Sequence, residues 1–276
     1  MLKEWWQNRK RKKVERIIED IKSIKIQGAR NIAKAALKAY FLIPTKETKN
    51  KLVHARPTEP MLVNTLHNFE HLGKDKTLKH FDDAQEKINS LVYSLIKDNY
   101  VIFTHCHATN VINSLIYAKK NGKNFEVYNT ETRPLFQGRK TSLELRKSGI
   151  NVTEFVDSGA RIALRREQGT RKCNLVLLGA DAILKNGVIN KIGSGMFAEI
   201  AYDEKIPVYI IADSWKYSSH HIKLEERDFH EVWRKVHPLI KIENPAFEFI
   251  PKKYIRGIIS EFGILSLDNF VKKIKN

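Results

Sequence analysis

The chain has 276 residues and a mass of 32.0 kDa. Hydrophobic residues make up 42% and charged residues 29%, enough apolar material for a packed core, which excludes wholesale disorder. Lysine and arginine number 49 against 31 aspartates and glutamates, and the net charge of +18 points to an anionic partner: nucleic acid, a phosphorylated metabolite or an acidic membrane surface.

The first hundred residues read as helices. Val14, Ile17, Ile18, Ile21 and Ile24 recur at helical spacing, as do Ile32, Ala36, Leu37, Tyr40 and Phe41 beyond Gly28. Leu78 to Ile96 repeats the pattern, and Pro57, Pro60 and Gly73 punctuate it. The texture changes at Asn99. Short apolar runs at 100–104, 125–130, 151–156, 175–180 and 208–212 alternate with helical stretches. That alternation implies βαβ units around a parallel sheet buried on both faces. Two apolar pieces, 247–250 and 255–259, close the series. The predicted fold class is α/β, with an N-terminal helical domain over 1–98 and a Rossmann-like parallel-sheet domain over 99–276.

Cys106 and Cys173 are too few for a disulfide framework, and no paired Cys or His ligands surround them, so no metal is expected. A reducing compartment fits this usage. The N-terminus has no apolar signal sequence, and no stretch approaches the ~18 apolar residues of a membrane span. The expectation is a soluble cytoplasmic protein with no membrane partner.

Ligands of open α/β sheets bind beyond the C-terminal ends of the strands. There the sequence places Thr104-His105-Cys106-His107, Thr130-Glu131-Thr132-Arg133-Pro134, Asp157-Ser158-Gly159, Gly179-Ala180-Asp181 and Asp213-Ser214-Trp215-Lys216. Asn190-Lys191-Ile192-Gly193 follows shortly after Asp181. Cys106 is a candidate base or nucleophile if its pKa is lowered, and an inert half-buried thiol is an equal alternative. Cys173 starts a strand, away from this edge, and is read as packing. Asp181 can donate a proton from an apolar crevice or cap the next segment. Gly28, Arg56, Arg133, Lys191 and Lys216 are candidate phosphate contacts. No Gly-x-x-x-x-Gly-Lys-Ser/Thr loop occurs, and no Gly-x-Gly-x-x-Gly follows the first strand. This argues against a nucleoside triphosphatase and a dinucleotide oxidoreductase.

Six motifs occur in order: Thr-His-Cys-His at 104–107, Glu-Thr-Arg-Pro-x-x-Gln-Gly at 131–138, Asp-Ser-x-Ala-Arg at 157–161, Gly-Ala-Asp-x-Ile at 179–183, Asn-Gly-x-x-Asn-Lys-Ile-Gly at 186–193 and Asn-Pro-Ala-Phe at 244–247. Together they resemble the family of the alpha, beta and delta subunits of translation initiation factor 2B, which includes methylthioribose-1-phosphate isomerase and archaeal-type ribose-1,5-bisphosphate isomerase. The resemblance is strongest to the last branch and covers nearly the whole chain. It implies a helical domain joined to a Rossmann-like domain. It implies an aldose–ketose isomerase, an intramolecular oxidoreductase, that turns α-ribose 1,5-bisphosphate into ribulose 1,5-bisphosphate in nucleoside monophosphate (AMP) degradation. No cofactor and no metal are implied, and a homo-oligomer, dimer or hexamer, is.

The resemblance places the catalytic pair on Cys106 and Asp181. Isomerisation needs one group to take a proton and another to give one. The expected assignment is a Cys106 thiolate as base and a protonated Asp181 as acid. Gly28, Arg56 and Arg133 are expected at one phosphate, Lys191 and Lys216 at the other, with Asn190 on the sugar hydroxyls. Two positions depart from the enzyme pattern. Gln27 stands where an Arg usually precedes the Gly-Ala pair, and His107-Ala108 stands where Asn-Ser is common. Two rival readings remain: a non-catalytic regulatory subunit that binds protein partners or a phosphorylated ligand, and the methylthioribose-1-phosphate isomerase. Retention of Cys106 and Asp181 argues against the first of these.

Two basic stretches are left over. Residues 165–172 look like a basic insertion. Arg9-Lys10-Arg11-Lys12-Lys13, next to Trp5 and Trp6, is expected to be a solvated helix start with the tryptophans packing elsewhere or at an interface. The charge divides evenly, +9 in residues 1–99 and +9 in the remainder. This favours a small phosphorylated partner and makes nucleic acid the less expected one.

Overall fold

Helical spacing of apolar residues produces five helices at the start of the chain: α1 (Leu2–Lys22), α2 (Ala29–Leu42), α3 (Lys46–Ala55), α4 (Pro60–Leu72) and α5 (Lys74–Leu95). A computed structural model describes residues 2–275. The chain falls into two compact units, one holding the described residues up to Asp82 together with Trp215–Tyr217, the other holding the rest.

In the helical unit, Val14, Ile18, Ile21, Ile32, Leu37, Leu52, Leu62 and Leu66 form one buried cluster. Local signals set the helix ends. The Thr45 hydroxyl accepts from the Thr48 N–H at the start of α3, and Pro60 opens α4, where a missing N–H costs nothing. Ile24, which continues the first periodic run in sequence, lies past α1 with φ of 61°, where the chain turns toward α2. Trp215 joins this unit from far along the chain. It stacks on His80 at 3.7 Å and meets Phe81 edge-on, and the Asn64 amide donates to the carbonyls of Trp215 and Tyr217 at 2.7 and 2.9 Å.

The second unit is built on β1 (Tyr100–His105), α6 (Thr109–Lys120), β2 (Phe125–Thr130), α7 (Gln137–Lys147), β3 (Asn151–Phe155), α8 (Ala160–Arg165), β4 (Leu175–Leu178), β5 (Ala182–Leu184), β6 (Gly187–Lys191), α9 (Ser194–Asp203), β7 (Val208–Ile211), β8 (Phe247–Pro251), β9 (Gly257–Ser260), β10 (Gly263–Leu265) and α10 (Leu267–Lys275). Seven strands form a sheet in the order β10-β9-β7-β4-β1-β2-β3, parallel throughout except for β10. Successive side chains of β1 face opposite layers. Ile102 joins a cluster with Ile88, Val92, Leu115 and Leu145, while Phe103 meets Phe197 of α9 edge-on at 5.3 Å. The sheet is therefore covered on both faces, as its continuous apolar strands require. The run at 247–250 does not extend this sheet. It becomes β8 of a separate antiparallel sheet, β5-β6-β8. Among the described residues no helix is long and apolar enough to cross a membrane.

Candidate active site

The chain leaves β1 toward β2 and β3, then returns to β4 on the other side of β1. Connections that depart in opposite directions open a crevice at the C-terminal ends of β1 and β4. Cys106 follows β1 directly and Asp181 follows β4 after Gly179 and Ala180.

Cys106 adopts a left-handed backbone, φ of 67°, which costs a non-glycine residue of order 1 kcal/mol and persists only where its surroundings impose it. They do so from both sides. The Cys106 N–H donates to the Thr132 hydroxyl at 3.0 Å, and its carbonyl accepts from the Thr141 hydroxyl at 2.7 Å. Neither bond uses the sulfur, so the thiol is aimed by its own main chain. Burial pushes the thiol up to about 12, against downward pulls from the His107 backbone and the Lys191 charge, with Asp181 and Asp157 pushing further up. The thiolate expected from the sequence is thus corrected to a neutral thiol. A cation stands near, but desolvation outweighs it.

His105 and His107 flank the thiol. Burial lowers each ring to about 4, so both are neutral at pH 7. His105 donates from Nε2 to the Ile192 carbonyl at 2.9 Å and accepts the Thr130 hydroxyl at Nδ1 at 2.5 Å. His107 Nδ1 lies 3.0 Å from the Thr141 hydroxyl that holds Cys106. Because both rings titrate below the ordinary value of 6.5, the folded state binds fewer protons than the unfolded chain between pH 6.5 and about 4. The stability they confer is complete above pH 6.5 and is lost as pH falls toward 4. Urea midpoints measured at about pH 7, 5.5 and 4.5 should fall in that order, and a flat profile would contradict the burial of these rings.

Asp181 is half-buried, and its N–H donates to the Ile189 carbonyl at 2.9 Å. A strand, β5, follows it rather than a helix, so the capping role drops out. Asn190 and Lys191, on β6, are both about 5% exposed. The Asn190 amide donates to Ser194 at 2.8 Å, and Ser194 donates to the Lys191 carbonyl at 2.6 Å. Burial lowers Lys191 from its ordinary value, and the charge of Arg227 adds to this, opposed by Cys106, Asp181 and Glu231. Cys106, Asp181 and Lys191 therefore sense one another. Ala108, the N-cap position of α6, closes one wall. A Cβ on Gly179 would stand 2.5 Å from the Ala108 Cβ and 3.8 Å from the Asn190 side-chain oxygen, so Ala108, Gly179 and Asn190 meet.

Arg133 lies at the rim. It is exposed, and its guanidinium donates to the Val232 carbonyl at 3.1 Å. The Asp157 carboxylate accepts from the N–H groups of Thr132 and Arg133 at 2.8 and 2.6 Å and so fixes the loop after β2. Gln27, Gly28, Arg56 and Lys216 belong to the helical unit. Gly28 is the N-cap of α2, Gln27 is exposed with its amide on the Ile24 carbonyl at 3.1 Å, and Arg56 and Lys216 are buried. Lys216, grouped with Lys191 in sequence, thus belongs to the other unit. Arg30 is engaged elsewhere, paired with Asp82 at 2.5 Å.

The sequence named Thr132 without its role and did not mark Thr141, Arg227 or Glu231. Thr132 and Thr141 hold the Cys106 main chain, and Arg227 and Glu231 place an ion pair beside Lys191. Thr132 sits inside a motif that was noticed, but its role depends on a contact 26 residues away.

Residues 70–267 match the family described as Initiation factor 2 subunit family. The ribose 1,5-bisphosphate isomerase of Methanocaldococcus jannaschii is 34% identical over 286 aligned residues, covering 91% of this chain and 91% of the relative. The protein of the same name from Archaeoglobus fulgidus is 31% identical over 280, covering 90% and 88%. The crystal structure of translation initiation factor eIF-2B from Pyrococcus horikoshii superposes with a TM-score of 0.80 at 27% identity, covering 92% of this chain and 96% of that one. With the family matched over most of its length and relatives above 30% identity across nine-tenths of it, the chain belongs to the Initiation factor 2 subunit family.

Proposed function

We propose that this protein is an aldose–ketose isomerase converting α-ribose 1,5-bisphosphate to ribulose 1,5-bisphosphate. The observation that carries the reading is the placement of Cys106 directly after β1 and of Asp181 after β4, on the two sides of the crevice where the connections depart in opposite directions. Relatives that bear the name of this activity support it.

The raised thiol exchanges the roles expected from the sequence. Cys106 gives its proton to the ring oxygen as the C1–O4 bond breaks. Asp181 takes the proton from C2, which leaves an enol phosphate across C1 and C2. Asp181 then returns that proton to C1, while the C2 hydroxyl gives its proton to the Cys106 thiolate. Both groups finish as they began, so no outside acid or base is consumed. Lys191 and Arg133 bind phosphate oxygens, and Asn190 orients a sugar hydroxyl beside Ala108. Gln27, Gly28, Arg56 and Lys216 are retained as phosphate contacts on the family pattern. The same pattern favours a homo-oligomer, dimer or hexamer, and a catalytic domain over 99–276.

Incubation with ribose 1,5-bisphosphate should yield ribulose 1,5-bisphosphate. Ketose from methylthioribose 1-phosphate alone would reassign the substrate, and no product from either at high enzyme concentration would favour a non-catalytic binding subunit. Gln27→Arg restores the family cation at an exposed position. It should lower KM for the bisphosphate roughly fivefold with kcat unchanged, since a charged hydrogen bond exceeds a neutral one by about 1 kcal/mol. An unchanged KM would remove Gln27 from the phosphate contacts.

A further inference from the structure

Residues 4–13 of α1 are exposed without interruption. The helix is anchored further on by Val14, Ile18 and Ile21, all 3% exposed or less. At roughly 100° per residue, Trp5, Arg9, Lys12 and Arg16 fall on the side opposite those anchors, with Lys13 and Trp6 on the flank beside them. The two tryptophans, expected to pack elsewhere or at an interface, are 54% and 55% exposed in this chain and meet each other edge-on at 5.2 Å. The Arg9 guanidinium lies 5.3 and 5.8 Å from their ring centres. Arg16, at 3.9 Å from Asp20, keeps a side chain 84% exposed.

This face offers two flat aromatic rings followed by a run of cations. A bilayer is the poorer fit, because an interfacial helix inserts an apolar face and the apolar face of α1 is spent on the protein core. A second copy of the same face would set like charges against each other. Bases stack on aromatic rings whatever their sequence, and cations beyond the rings suit the phosphates that follow. We propose that the solvent face of α1 binds single-stranded nucleic acid, with bases on Trp5 and Trp6 and phosphates on Arg9, Lys12, Lys13 and Arg16. The site stands apart from the isomerase reading and shares no residue with it.

The test uses the full-length protein and a fluorescein-labelled oligouridylate of about 15 nucleotides, followed by anisotropy. Binding should weaken with salt, with a log–log slope of roughly −3 for four phosphate contacts. Trp5→Ala/Trp6→Ala should weaken binding roughly tenfold or more and leave the slope unchanged. Lys12→Ala/Lys13→Ala should cut the slope by about half. The melting temperature of each variant should match the parent, since every substituted side chain faces solvent. No binding at low salt, undiminished binding in the tryptophan variant, or stronger binding to phosphatidylglycerol vesicles than to the oligonucleotide would each overturn the proposal.

Discussion

Cys106→Ser and Asp181→Asn should each lower turnover of ribose 1,5-bisphosphate by on the order of 10³-fold or more while the protein stays folded. The reason for the loss is chemical. A serine hydroxyl keeps the size of the thiol but is a far weaker acid, and an asparagine amide cannot accept a proton from carbon. The reason for intact folding is structural. The left-handed turn at Cys106 is held through its N–H and carbonyl by Thr132 and Thr141, so the sulfur carries no part of that scaffold. Asp181 is tied to Ile189 through its main chain as well. A second readout separates the two roles. The Asp181 charge is one of the influences that raise the Cys106 thiol, so Asp181→Asn should lower the thiol pKa and speed alkylation of Cys106. Near-parental turnover in both variants would dismiss the pair as the proton-transfer groups.

Gly138→Ala should be the most damaging single methyl group in the β2–α7 connection. Gly138 is buried in the first turn of α7, and its N–H donates to the Glu131 carbonyl at 3.1 Å. An added Cβ would fall 1.7 Å from the Thr130 carbonyl oxygen and 2.8 and 2.9 Å from the carbonyl carbons of Thr130 and Glu131. These are main-chain atoms, so no rotamer change makes room. The end of β2 must move, and with it the Thr130 hydroxyl on His105 and the Thr132 hydroxyl on Cys106. We expect a loss of about 3 kcal/mol or more, a fall in Tm on the order of 10 °C, and a larger loss of isomerase activity than of stability. A melting temperature within a degree or two of the parent would show that the connection yields more than its geometry suggests.

The helices, the parallel strands and the groups at their ends were legible because their signals are local. A run such as Val101–Phe103 announces a buried strand, and the residues after it must then lie at the ligand edge. The second sheet was not legible as such. β5 is three residues long and β8 pairs with β6 from more than fifty residues away, and neither fact leaves a periodic trace. The protonation state of Cys106 was missed for a related reason. The thiolate is expected because isomerisation needs a base and the family resemblance places it on Cys106 between two histidines. Both rings are in fact neutral, and the enclosure that outweighs Lys191 comes from residues distant in sequence. The tryptophans of α1, expected to pack elsewhere or at an interface, take no place in this chain's core, because the positions that anchor the helix are Val14, Ile18 and Ile21.

The place of Trp215 bears on how the chain folds as it leaves the ribosome. Five helices emerge first, yet Phe81, His80 and Asn64 find their stacking and hydrogen-bonding partners only when Trp215–Tyr217 appear, after β7 has been made. The helical unit is thus N-terminal in sequence but completed late in synthesis. Vectorial folding, which ordinarily lets the first domain finish before the next begins, here leaves the first unit waiting on a tripeptide from the second half of the message.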